Sequence, residues 1–102
     1  MKTVDDYMDA ARARLNLRSD RALSKALGVG FTAPNQWRTK RAWPADDTMV
    51  RLADLAGADP AQALLDLNQW RNASPAVRSV YERIAARIGA TAAAVVFATM
   101  SQ

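Results

Sequence analysis

The sequence predicts an all-α fold, and three observations carry that prediction. Apolar residues recur at three- and four-residue spacing along most of the chain. Good capping residues and glycines punctuate that pattern at helical lengths. Apart from Ala94-Val95-Val96-Phe97, no stretch alternates or runs as a strand does.

Taken in order, Thr3 and Asp6 form a capping pair ahead of Val4, Tyr7, Met8, Ala11 and Leu15, which predicts a first helix to about Arg14. Ser19 caps a short second helix with Ala22, Leu23, Ala26 and Leu27 inward, and Gly28 stops it. Thr32 is the expected cap of a third helix, with Pro34 in its first turn and Trp37, its one large apolar residue, facing the core. After Ala42-Trp43-Pro44, Asp46 or Asp47 caps a fourth helix bearing Met49, Leu52, Ala53 and Ala56, ended by Gly57. Asp59-Pro60 opens a fifth helix through Leu64, Leu65 and Leu67. Ser74-Pro75 opens a sixth, in which Val77, Val80, Tyr81, Ile84, Ala85 and Ile88 form an apolar stripe ended by Gly89.

With 102 residues, half of them apolar and 24% charged, the chain suits one modest core rather than two. We divide it into a domain over 1–72 and a C-terminal helix with an apolar tail over 73–102. The uncharged tail after Arg87 is shorter than the ~20 residues needed to span a bilayer, so no membrane span is expected. The stripe and tail, including Val95, Val96 and Phe97, make either a dimer seam or an intramolecular core helix. The acidic start, Asp5-Asp6, differs from a signal peptide, and a cytoplasmic location follows as the expectation.

The composition disfavours enzymology. The chain has neither cysteine nor histidine, which removes thiolate nucleophiles, the usual zinc sites and the commonest general base, so no cofactor or metal is expected. Ser24 lacks an activating partner. Asp5-Asp6 and Asp46-Asp47 precede helices, where capping and the helix dipole account for paired acids. Gly28-Val29-Gly30 has no preceding strand and no third glycine, unlike a phosphate-binding loop. Trp37 and Trp70 read as core rather than as base-stacking platforms, while Trp43, in a turn, is ambiguous.

Charge is unevenly distributed. Arg12, Arg14, Arg18, Arg21, Lys25, Arg38, Lys40 and Arg41 face one acid, Asp20, whereas from Leu52 onward four arginines face four acids. Such concentration is what a polyanion-binding face requires, and a solvated basic surface is the plainer alternative.

The run Leu23-Ser24-Lys25-Ala26-Leu27-Gly28-Val29, then Asn35-Gln36-Trp37-Arg38-Thr39-Lys40-Arg41-Ala42-Trp43-Pro44, then Met49 to Gly57 carries a more specific pattern. In order and spacing it resembles the Cro and phage-repressor type of helix-turn-helix, over about Thr3 to Asn72. The basic sixth helix and apolar C-terminus also look like small phage or prophage regulators, including filamentous ones.

That resemblance implies a five-helix, lambda-repressor-like domain that reads double-stranded DNA as a dimer and regulates transcription as a repressor. It places base-reading positions on Phe31, Thr32 and Gln36, with Asn35 adjacent. Gln and Asn amides match the N6 and N7 edge of adenine, and an exposed Phe31 suits a thymine methyl. Phosphate contacts fall on Arg38, Thr39, Lys40 and Arg41, with Ser19 and Arg21 at the start of the second helix. Two departures carry their own expectations. Asp20 replaces an uncharged residue and needs Arg18 or Arg21 as a partner, and Pro34 replaces a Val or Ile and shifts the helix start. The possible dimer interface falls on Val77, Val80, Tyr81, Ile84, Ile88, Val95, Val96 and Phe97, and the competing reading is a protein-interaction module, such as an anti-repressor, that keeps the scaffold and binds another protein through the sixth helix and tail.

Overall fold

The computed structural model describes residues 3–72 and 74–100, with side chains as far as Ile88. Among the described residues every regular element is a helix: α1 Val4–Leu15, α2 Asp20–Leu27, α3 Ala33–Arg38, α4 Asp46–Ala56, α5 Pro60–Arg71 and α6 Pro75–Met100.

Local chemistry sets most of the boundaries. The Thr3 amide donates to Asp6 Oδ2 at 2.8 Å and the Asp6 amide to Thr3 Oγ1 at 3.3 Å, a reciprocal box that opens α1. Ser19 Oγ accepts from the Ala22 amide at 3.1 Å, and Gly28, at φ 73°, ends α2 in the left-handed conformation that a glycine adopts without steric cost. Gly57 ends α4 at φ 72°, and a Cβ there would lie 2.5 Å from Arg14 Nη1. Asp59 accepts from Ala61 and Pro60 begins α5, as the sequence reading has it.

Four expectations change. Thr32 makes no capping bond because its backbone is already helical (φ −85°, ψ −17°), whereas a capping hydroxyl needs an extended residue behind it. Ala45, not Asp46 or Asp47, is the N-cap residue of α4, and both acids lie in the helix's first turn. In α2 Ala26 is exposed and Ser24 is buried in its place, its hydroxyl donating to the Arg21 carbonyl at 2.6 Å. Gly89 does not end α6: the helix runs on through Ala94–Phe97, where a strand had been the one exception to a helical reading. A glycine in a helix costs only about 1 kcal/mol against alanine, and the alanines that follow it are the strongest helix formers.

The core lies among α1, α2, α4 and α5, with Trp37 of α3 closing it. Val4, Tyr7, Met8, Ala11, Leu23, Leu27, Met49, Leu52, Ala53, Ala63 and Leu67 are buried, and Trp37 is only 4% exposed. Helix α1 packs on α4, α4 on α5, and α2 on α3. Trp43 and Trp70 are half-buried with their rings 5.7 Å apart, and Trp70 meets Tyr7 edge-on at 5.8 Å. Trp43 therefore belongs to the margin of the core.

Helix α6 stands apart from that arrangement. It packs against α5, but its 26 residues extend about 39 Å against about 18 Å for the 12 residues of α5. The radius of gyration, 14.8 Å, accordingly exceeds the roughly 13 Å of a compact chain this long. Val77, Val80 and Ile84 are exposed, while Tyr81, Ala85 and Ile88 are half-buried. The stripe is thus not an interior core face; Val95, Val96 and Phe97 lie outside the described side chains. Among the described residues no helix is long and apolar enough to cross a membrane.

Candidate nucleic-acid interface

Six residues are too few for a helix to be stable alone, so the orientation of α3 must come from what it touches. Pro34 and Trp37 fix its inner face. Thr32, Asn35 and Gln36, at positions one helical turn apart, project from its outer face and are exposed, with Phe31 exposed just before them. The four residues assigned to base reading thus occupy one solvent-facing surface. Pro34 is the second residue of α3, which begins at Ala33.

The basic residues divide into two groups. Arg14, Arg18, Arg21, Lys25 and Arg41 are exposed and make no ion pair among the described residues, although Arg14 Nη1 donates to the Asp54 carbonyl at 3.2 Å. Arg38 is different. Its Nε and Nη2 donate to Asp20 Oδ2 and Oδ1, both at 3.1 Å, Nη1 donates to Asp5 Oδ1 at 3.1 Å, and Nη2 also to Asp9 Oδ1 at 2.7 Å. Lys40 completes the cluster through Asp5 Oδ2 at 2.8 Å, and Arg12 reaches Asp20 Oδ1 at 3.2 Å.

This geometry revises the roles drawn from the sequence. Asp20 is neutralised by Arg38 and Arg12, not by Arg18 or Arg21. Arg38, assigned to phosphate, spends its donors on three carboxylates from α1 and α2 and ties α3 to both helices. Asp5 is more than a dipole partner, since it holds Arg38 and Lys40. Asp46 and Asp47 likewise pair with Arg71 at 2.7 Å and Arg51 at 3.6 Å. Ser19 is engaged in its cap, and Thr39 Oγ1 bonds back to the carbonyls of Asn35 and Gln36 at 2.9 and 3.3 Å. Lys40 adopts φ 62°, turning the chain out of α3.

The electrostatics follow from the contacts. Arg38, with Arg12 in support, holds the Asp20 carboxyl below the usual range against the opposing effect of partial burial. Lys40 first and Arg38 second do the same for Asp5. The three carboxylates push the Arg38 guanidinium up.

Asp5 and Asp9 are the residues that sequence reasoning missed. A signal was present: Asp5, Asp9 and Arg12 are spaced four and three apart, so they share one face of the first helix. A second missed feature lies deeper. The Tyr7 hydroxyl donates to Asp66 Oδ2 at 2.5 Å, and Gln62 Nε2 donates to Asp66 Oδ1 at 3.1 Å, which accommodates a buried carboxylate on α5. Burial, then the bond to Asp66, pushes the Tyr7 phenol up.

Among the described residues no group of acidic side chains could hold a metal ion. Comparison with protein-family models, curated proteins and solved structures finds no match to this chain.

Proposed function

We propose that this chain is a sequence-specific, double-stranded DNA-binding regulator that lays α3 in the major groove and acts as a dimer, in the manner of a phage or prophage repressor. One observation carries the reading. Thr32, Asn35 and Gln36 share the exposed face of a short helix anchored from behind by Pro34 and Trp37. Arg18, Arg21, Lys25 and Arg41 are exposed cations without an ion pair among the described residues. Side-chain amides on such a face suit adenine edges, and the cations suit phosphates on either side. The resemblance to Cro-type regulators supplies the regulatory role.

The test is selection of bound sequences from a pool of random duplexes, followed by affinity measurements over a range of salt. If the four outer cations meet phosphate, log K falls against log salt with a slope of about −4 per copy; adding Arg38 and Lys40 would take it beyond about −5. Asn35→Ala with Gln36→Ala is expected to abolish preference for the selected duplex and leave the slope unchanged. Arg18→Ala with Arg41→Ala is expected to reduce the slope by about 2 and leave the preference. A protein that binds selected and random duplexes equally is not this regulator.

The exposed row Val77, Val80 and Ile84 on α6 supports a dimer seam in which two copies present α3 to half-sites about one DNA turn apart. The same row is what favours the second reading, a module that binds another protein through α6. Sedimentation equilibrium distinguishes them: Ile84→Asp converts a dimer to a monomer in the first case and leaves a monomer unchanged in the second.

A further inference from the structure

Three of the six exposed large apolar side chains among the described residues, Val77, Val80 and Ile84, stand on one helix, α6. At about 100° per residue, the half-buried Tyr81, Ala85 and Ile88 share the side of α6 that meets α5, and the exposed row lies about a quarter turn further round. About a fifth of a turn beyond the row come Arg83 and Arg87, which line a shallow cleft with Val80 and Ile84. Both arginines are exposed, and neither makes an ion pair among the described residues. The acid of α6, Glu82, falls nearly opposite Ile84 round the helix. No charged residue follows Arg87, and the helix continues to Met100, past the reach of the shorter α5. An apolar row bordered by unpaired cations is the pattern of a helix that lies in the headgroup boundary of a bilayer, a position that requires no membrane span.

We propose that α6 is a membrane-surface helix: Val77, Val80 and Ile84 enter the headgroup boundary of an anionic bilayer, and Arg83 and Arg87 meet lipid phosphates at the edge of the row. Charge complementarity selects this occupant. Symmetric pairing of α6 with a second copy covers the row but brings no free carboxylate to the arginines. The acids of α5 and α6 are Asp66, buried against Tyr7, and Glu82, on the far side of its helix. Anionic headgroups neutralise both arginines, whose apolar stems lie along the hydrocarbon boundary while the guanidinium groups reach the phosphates. The inference uses no residue of α2 or α3 and is independent of the DNA reading. It sets a bilayer and a second copy in competition for one row.

The probe is flotation of the full chain with vesicles of phosphatidylcholine alone and of phosphatidylcholine mixed equally with phosphatidylglycerol. The wild type should float with the anionic vesicles and not with the neutral ones, and should dissociate as salt is raised. Arg83→Gln with Arg87→Gln should bind the anionic vesicles about 30-fold more weakly, the effect of two cations near a charged surface. Its urea midpoint should be unchanged, because both side chains are exposed. Ile84→Asp should not float. A wild type that floats with neither vesicle, or equally with both, overturns the proposal, as does an Ile84→Asp variant that floats like wild type. Arg18→Ala with Arg41→Ala removes the same charge from outside α6, and if it weakens flotation as much, α6 is not the surface. A non-floating protein that sediments as a dimer and is dissociated by Ile84→Asp assigns the row to a second copy instead. Duplex selection carried out without lipid keeps its own outcome in every case.

Discussion

Replacing Arg38 by methionine keeps most of the side chain's apolar stem and removes the guanidinium that joins α1, α2 and α3. The contact with Asp20 is two-pronged and its members are only 24% and 32% exposed, which puts it near ~1.5 kcal/mol, the lower end for hydrogen bonds to charged groups. Asp5 and Asp9 are more open, at 38% and 63%, and each adds about 0.5 kcal/mol. Lys40 still holds Asp5, and Arg12 still holds Asp20, so the three carboxylates are not left wholly unpaired. The expected loss is about 2.5 kcal/mol, which in a domain this small lowers Tm by roughly 10–15 °C.

Urea unfolding followed by tryptophan fluorescence measures the loss directly. Arg38→Lys should recover less than half of it, because an ammonium cannot form the parallel pair of bonds to Asp20. If DNA binding is measured alongside, Arg38→Met should weaken affinity without altering the salt slope, as befits a residue that positions α3 rather than one that contacts phosphate. A methionine variant within about 0.5 kcal/mol of wild type, or one that lowers the slope by about 1, would refute this account of Arg38.

Acid should weaken the same cluster. Asp5 and Asp20 titrate lower in the folded chain than in the unfolded one, so their contribution is complete above about pH 4 and disappears as pH falls through the folded values. Urea midpoints should drop below pH 4, with a shallower drop in Asp20→Asn; midpoints level down to about pH 3 would count against it. In the core, Tyr7→Phe leaves the buried Asp66 with Gln62 as its remaining side-chain donor and should cost about 1–3 kcal/mol. Tyr7→Phe with Asp66→Leu should recover part of that cost, and a single variant as stable as wild type would show that the pair contributes nothing.

What could be read from the sequence was what local chemistry decides. Ser19, Gly28, Gly57 and Asp59-Pro60 mark helix ends because a cap is a contact between residues two to four apart, and each stands where it was expected. Trp37 was legible for another reason: it is the one large apolar residue in its segment, and burial left it a single direction. The misreadings arose where distant groups compete for a side chain. Asp46 pairs with Arg71, 25 positions away, and Asp5 reaches residues 33 and 35 positions away. Tyr7 and Asp66 are 59 apart, and neither carries a sequence signal of the other.

The basic run that first suggested a polyanion-binding face does not form one uniform surface. Folding lays Asp5 and Asp9 of α1 against Arg38 and Lys40, so the inner part of the run is neutralised by carboxylates that lie outside it in sequence. The members of the run left without an ion pair among the described residues are Arg14, Arg18, Arg21, Lys25 and Arg41, all of them exposed. A helix of six residues cannot set its own angle, and two inward residues fix a line of contact more readily than a rotation about it. Arg38, anchored on two other helices, supplies the missing constraint. The same three carboxylates thereby hold Thr32, Asn35 and Gln36 in one orientation, and under the DNA-binding proposal that orientation would govern the difference between sites while net charge raises affinity for all of them alike.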